Sequence, residues 1–70
     1  MNSVKNLDVV ALLADVPAAN LSRGQVGTVV ETLDSSNVLV EFNDDAGRTY
    51  ALTPVAANQI LVLHYEPEAA

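Results

Sequence analysis

The chain has no cysteine and no tryptophan. Without cysteine, neither a disulfide framework nor a thiolate zinc site can brace the fold, and the absence fits a reducing compartment. Aromatic side chains are scarce, with one Phe and two Tyr. Polyproline is held in grooves lined by several aromatics, so that mode of recognition is not expected. Basic residues are equally few: Lys5, Arg23 and Arg48 stand against nine acids, for a formal net charge of −6. Nucleic acid and anionic membranes are bound by neutralising phosphate with Lys and Arg, so neither is an expected partner. No apolar run approaches the ~20 residues that span a bilayer. Met1–Asn6 lacks the charged-then-apolar order of a signal peptide, which places the chain in the cytoplasm as an expectation.

Half of the 70 residues are hydrophobic, and they are mainly Val, Leu, Ile and Ala. That is ample for one globular domain with an aliphatic core. A chain this short buries only ~60% of its unfolded surface, so its stability is expected to be marginal. Residues 1–6 are polar and expected to be loosely held, 7–65 form the domain, and 66–70 form a polar tail.

The stretch from Arg23 to Glu31 organises the chain. Gly24 and Gly27 lead into a β-branched run that packs well on a pleated surface and poorly in a helix. A sharp turn is expected at Gly24, a kink or bulge at Gly27, and a strand from Val26 to about Leu33. Upstream, Leu7–Leu13 suits a buried strand or a short helix. The segment Ala14–Ser22 reads as a long loop with a turn at Asp15–Ala18, its ends tucked onto the core by Val16 and Leu21.

Asp34-Ser35-Ser36-Asn37 is a turn cluster, because these side chains bond turn backbone locally. Val38–Phe42 alternates, with Val38, Val40 and Phe42 on one face and Leu39 and Glu41 on the other. Asn43–Gly47 reads as a tight connection with Gly47 at positive φ. Arg48–Leu52 is the fourth strand, with Tyr50 and Leu52 facing one way. Pro54–Asn58 fits one 3₁₀ turn capped by Thr53, and Ile60–Leu63 is a fifth strand. The expected core is Val10, Leu12, Val26, Val29, Leu33, Val40, Phe42, Leu52, Ile60 and Val62.

Five short strands with a 3₁₀ turn before the last are the order of a small five-stranded SH3-like barrel, an all-β fold that manages sheet edges by curling. Gly24-Gln25-Val26-Gly27-Thr28-Val29-Val30-Glu31 resembles the KOW-type glycine–valine signature of SH3-like barrels in ribosomal and transcription-factor proteins. A broader resemblance spans Asp8 to Leu63. It rests on Leu7-Asp8-Val9-Val10-Ala11-Leu12, Leu21-Ser22-Arg23-Gly24 running on to Glu31, Val40-Glu41-Phe42, and Gly47-Arg48-Thr49-Tyr50-Ala51-Leu52. With these the chain resembles a bacterial domain-of-unknown-function family, number 4926, frequent in cyanobacteria. The resemblance implies a small SH3-like β-barrel and carries over no catalytic or binding residue.

The residues that could carry chemistry each have a plainer reading. His64, the single histidine, has no second imidazole or thiol with which to bind a metal, so it reads as a strand-end residue. Asn43, Asp44 and Asp45 supply too few oxygens at fixed spacing for a calcium loop and read as a solvated turn. Arg23 and Gly24 precede no helix, which removes the phosphate-loop geometries. Glu31 and Glu41 on adjacent strands could do acid–base work, but read as exposed strand acids. Tyr50 and Tyr65 are the candidates for an aromatic recognition surface.

No catalytic, cofactor-binding or metal residue is assigned, and no cofactor or enzymatic activity is expected. The expected function is that of a small acidic module binding another protein with a basic patch, as an accessory subunit or a neutralising partner. The alternative is a nucleic-acid or ribosome-associated KOW-like barrel, supported by analogy of fold alone.

Overall fold

A computed structural model describes residues 4–64. The expectations for Tyr65 and for the tail at 66–70 lie outside the described residues. The protein is all-β: strands β1 (Val9–Leu12), β2 (Val26–Thr32), β3 (Asn37–Asn43), β4 (Thr49–Ala56) and β5 (Ile60–Val62) form one antiparallel sheet in the order β4-β3-β2-β1-β5. Two 3₁₀ turns accompany them, Pro17–Ala19 and Ala57–Gln59. Among the described residues no helix is long and apolar enough to cross a membrane.

The sheet buries its own inner face. Val10 and Leu12 of β1, Val29 of β2, Val38, Val40 and Phe42 of β3, Val55 of β4 and Ile60 of β5 join Leu21 in a single cluster. With no helical layer over them among the described residues, side chains from all five strands reach one another because the sheet curls around them. The curl brings non-neighbouring strands into contact. Gln25, at the entry to β2, donates through Nε2 to the Tyr50 hydroxyl on β4 at 3.1 Å.

Gly24 takes φ +92 at the sharp turn, and its N–H donates to the Leu12 carbonyl at 2.8 Å. Gly27 has an ordinary backbone and is buried for a steric reason. A Cβ there would stand 2.7 Å from Val40 Cγ1, 2.8 Å from the Glu41 carbonyl oxygen and 2.9 Å from Phe42 Cδ2. The bulge expected at Gly27 lies instead between Val29 and Glu31, with Val30 as the extra residue. The strand ends at Thr32 rather than Leu33. The loop after β1 closes as expected at its ends. Val16 and Leu21 exchange backbone hydrogen bonds of 2.8 and 3.1 Å, and Leu21 is buried. The turn placed at Asp15–Ala18 is the 3₁₀ turn Pro17–Ala19, with Pro at its first position and Asn20 in the left-handed conformation behind it.

The main correction concerns β4. It runs on through Pro54 to Ala56, and the 3₁₀ turn starts only at Ala57, so Thr53 does not cap it. Proline is tolerated because β4 is an edge strand. The hydrogen bond from Ala57 N–H to the Ser36 carbonyl, 2.8 Å, continues the β3–β4 ladder and sets its phase. Bonded and non-bonded pairs alternate in an antiparallel ladder, so Leu39↔Pro54 is a non-bonded pair and the proline nitrogen faces away from β3.

That extension also corrects the core. Val55 and Val38 pair on the inner face, whereas Leu52 pairs with Glu41 on the outer face and is 57% exposed. Val26 and Leu33 are also exposed, Val62 is half-buried, and Leu21 joins the cluster. Val10, Leu12, Val29, Val40, Phe42 and Ile60 are buried as expected.

Candidate binding surface

Four of the nine acids are occupied with the backbone. Asp8 Oδ2 accepts the Lys5 N–H at 2.8 Å. Asp15 Oδ1 accepts the Arg23 N–H at 2.8 Å. Asp34 Oδ1 accepts the N–H groups of Ser36 and Asn37 at 2.7 and 2.9 Å. These bonds, the Ser36 N–H foremost and then the Asn37 side-chain amide, hold the Asp34 carboxyl below its usual pKa. Asp44 does the same work in the β3–β4 connection. Its Oδ1 accepts from Ala46 and Arg48 N–H, both at 2.9 Å, and its Oδ2 accepts from Arg48 Nε at 3.3 Å. Both oxygens are spent on the turn, which is the expected solvated connection with Gly47 at φ +82. Three of these acids thus form turns and Asp15 ties the long loop, so acidity and fold are partly the same property.

The other candidates are dispersed. Arg23 and Gly24 direct their N–H groups at Asp15 and Leu12, so the turn offers no amide cradle to an anion. His64 follows β5 and is exposed. Tyr50 is the extra residue of a second bulge, between Phe42 and Asn43 on the partner strand, and its ring stands 6.3 Å from that of Phe42. Glu41 and Glu31 share the outer face. Glu31 lies opposite Leu39, two positions along from Glu41, and Glu41 accepts the Thr49 hydroxyl at 2.7 Å.

Two features were not visible along the chain. One is a shallow cavity of about 260 Å³ between the β2–β3 turn and the second 3₁₀ turn, lined by Ser35, Ser36, Asn37, Ala56, Ala57 and Asn58. It offers hydroxyls and amides to a neutral polar group, with no titratable side chain among its described lining residues. The elements that form it are some twenty residues apart in sequence, and only the β3–β4 register brings them together. The other is the outer face of the sheet. Val26, Leu52 and Leu61 stand there about half exposed, at 47%, 57% and 53%.

The chain matches the domain of unknown function family DUF4926 over residues 6–62. It belongs to that family. The DUF4926 span covers all five strands and ends on the last residue of β5, so the family and the sheet coincide. No curated protein and no solved structure matches the chain.

Proposed function

We propose that this DUF4926 chain is a non-catalytic acidic module that binds another protein, as an accessory subunit or a neutralising partner in the bacterial cytoplasm. The observation that carries the reading is the outer face with Val26, Leu52 and Leu61 about half exposed. Apolar surface of this kind on so small a domain marks an interaction site, because burying it against a partner removes it from water. The net charge of −6 favours a partner with a basic patch by steering encounter. A KOW-like role on RNA or DNA has less behind it. Lys5, Arg23 and Arg48 lie on three separate loops, and Arg48 is already paired with Asp44 at 3.3 Å.

The test is recovery of a tagged chain from its own cells after cross-linking, followed by calorimetry with the purified partner. A protein recovered in near-stoichiometric amount that binds in isolation supports the reading. Retention of RNA or DNA in a gel shift at low salt, with no protein partner, overturns it in favour of the KOW-like role.

A further inference from the structure

An antiparallel sheet with one solvated face normally alternates apolar inward and polar outward. Strands β1 and β5 do not. Val10 and Leu12 point into the core, yet Val9 and Ala11, which alternate with them, are also apolar and face out. Leu61 lies opposite Ala11, and Ala11 opposite Val26, so these three form one apolar row across β5, β1 and β2. The next row runs from Val9 through Thr28 and Glu41 to Leu52 on β4. Among the described residues Glu31 and Glu41 are the only charged ones on a strand, and Lys5, Arg23 and Arg48 lie outside the strands.

The sheet edges are poorly suited to a visiting strand. At the free edge of β4, Pro54 near the end of the strand has no N–H to offer, and the Thr53 hydroxyl donates to its carbonyl at 3.4 Å. At the other edge β5 is three residues long. A partner therefore meets this sheet on its face, through side chains.

We infer that the outer face of β5, β1 and β2, continuing across Thr28 and Glu41 to Leu52, receives an amphipathic helix of a partner protein whose apolar stripe is flanked by Lys or Arg. The inference rests on the protein-binding reading above and names its surface and partner chemistry. The apolar rows take the stripe, and Glu41 and Glu31 take the flanking bases. A second copy of the chain is disfavoured on charge, since it would bring a further −6 and two more strand acids to a face without a base. An anionic membrane is repelled in the same way.

The experiment is titration of the ¹⁵N-labelled full chain with two synthetic helical peptides that share one leucine periodicity, one with Lys and the other with Glu at the polar positions. The Lys peptide is expected to shift the amides of Val9, Ala11, Val26 and Leu61 to saturation, and the Glu peptide to leave them in place. Leu61→Glu, at a half-exposed position where the spectrum reports whether the fold is kept, is expected to weaken the Lys peptide roughly tenfold or more. Glu41→Lys is expected to reverse the preference between the two peptides.

Shifts by the Lys peptide confined to the acidic turns at Asp34 or Asp44, unaffected by Leu61→Glu, overturn the surface while leaving the protein-binding reading standing. Failure of both peptides to bind overturns the helix, and a partner recovered by cross-linking then remains as separate support for that reading. Self-association at rising concentration that is abolished by Leu61→Glu overturns the choice of occupant in favour of a second copy.

Discussion

Gly27 has no side chain because there is no room for one. Three atoms stand within 3 Å of where its Cβ would be, and one of them is the backbone carbonyl oxygen of Glu41, which cannot turn aside. Gly47 is constrained differently: its φ is +82 and nothing lies within 4 Å of its Cβ position. Gly47→Ala is therefore expected to cost ~1 kcal/mol through backbone strain. Gly27→Val is expected to cost ~3 kcal/mol or more, because the inserted atoms push β2 off β3. Paired urea melts check the ranking, and equal midpoints would contradict it. Asp34 is the second residue-scale case. Its carboxyl is held below the usual 3.8 by N–H donors, so it binds its proton less readily in the fold than in the unfolded chain. The stabilisation is present in full above the unfolded value and is lost as pH falls through the lowered one. Asp34→Ala is expected to lower the melting midpoint at pH 6, and the gap from the parent should narrow as pH falls below the usual carboxylate value of 3.8. A gap that persists unchanged in acid would show that the turn does not depend on the ionised carboxylate.

At the scale of elements, β4 departs most from what its residues suggest. It has eight residues with a proline near its end, and it survives as a strand only because that proline's nitrogen faces the free edge. The same proline blunts the edge. Pro54→Thr restores an outward N–H at a β-favouring position. It is expected to leave monomer stability within about 0.5 kcal/mol and to introduce concentration-dependent association. Sedimentation velocity over a range of concentrations reads this directly, and a variant that stays monomeric throughout would show that Pro54 is not what protects the edge. The two bulges, at Val30 on β2 and Tyr50 on β4, fall on either side of β3 and add local bend to the strands that must curl most.

For the whole molecule, charge and size work against each other. A net charge of −6 on 70 residues is self-repelling, and one ion pair, Arg48–Asp44, is found among the described residues. That pair is exposed, so it contributes little. Repulsion of this kind is screened by salt, with a Debye length of ~3 Å at 1 M. The melting midpoint at pH 7 is expected to rise by several degrees when salt is raised from 0.02 to ~0.5 M. It is also expected to hold or rise between pH 7 and pH 5, as partial protonation relieves the same repulsion. A steep fall over that range would place specific carboxylate contacts above net charge in the balance.

Much of this was determined by the sequence alone. Alternation in Val38–Phe42, the Asp34–Asn37 and Asn43–Gly47 turns, positive φ at Gly24 and Gly47, and the tucked-in Leu21 are all consequences of neighbours a few residues apart. The all-β class and the place of the last 3₁₀ turn, just before β5, followed from those local signals. What only the tertiary structure decided depends on where a strand lies in the sheet. Pro54 normally stops a strand, and only an edge position lets it continue. That continuation buries Val55 and turns Leu52 outward. In β1 and β5 both faces are apolar, so the expected burial of Val10, Leu12 and Ile60 had no alternation behind it, although those residues are the buried ones. The curl of the sheet chose by enclosing one face and leaving the other in water, and the exposed face is the surface proposed here to bind.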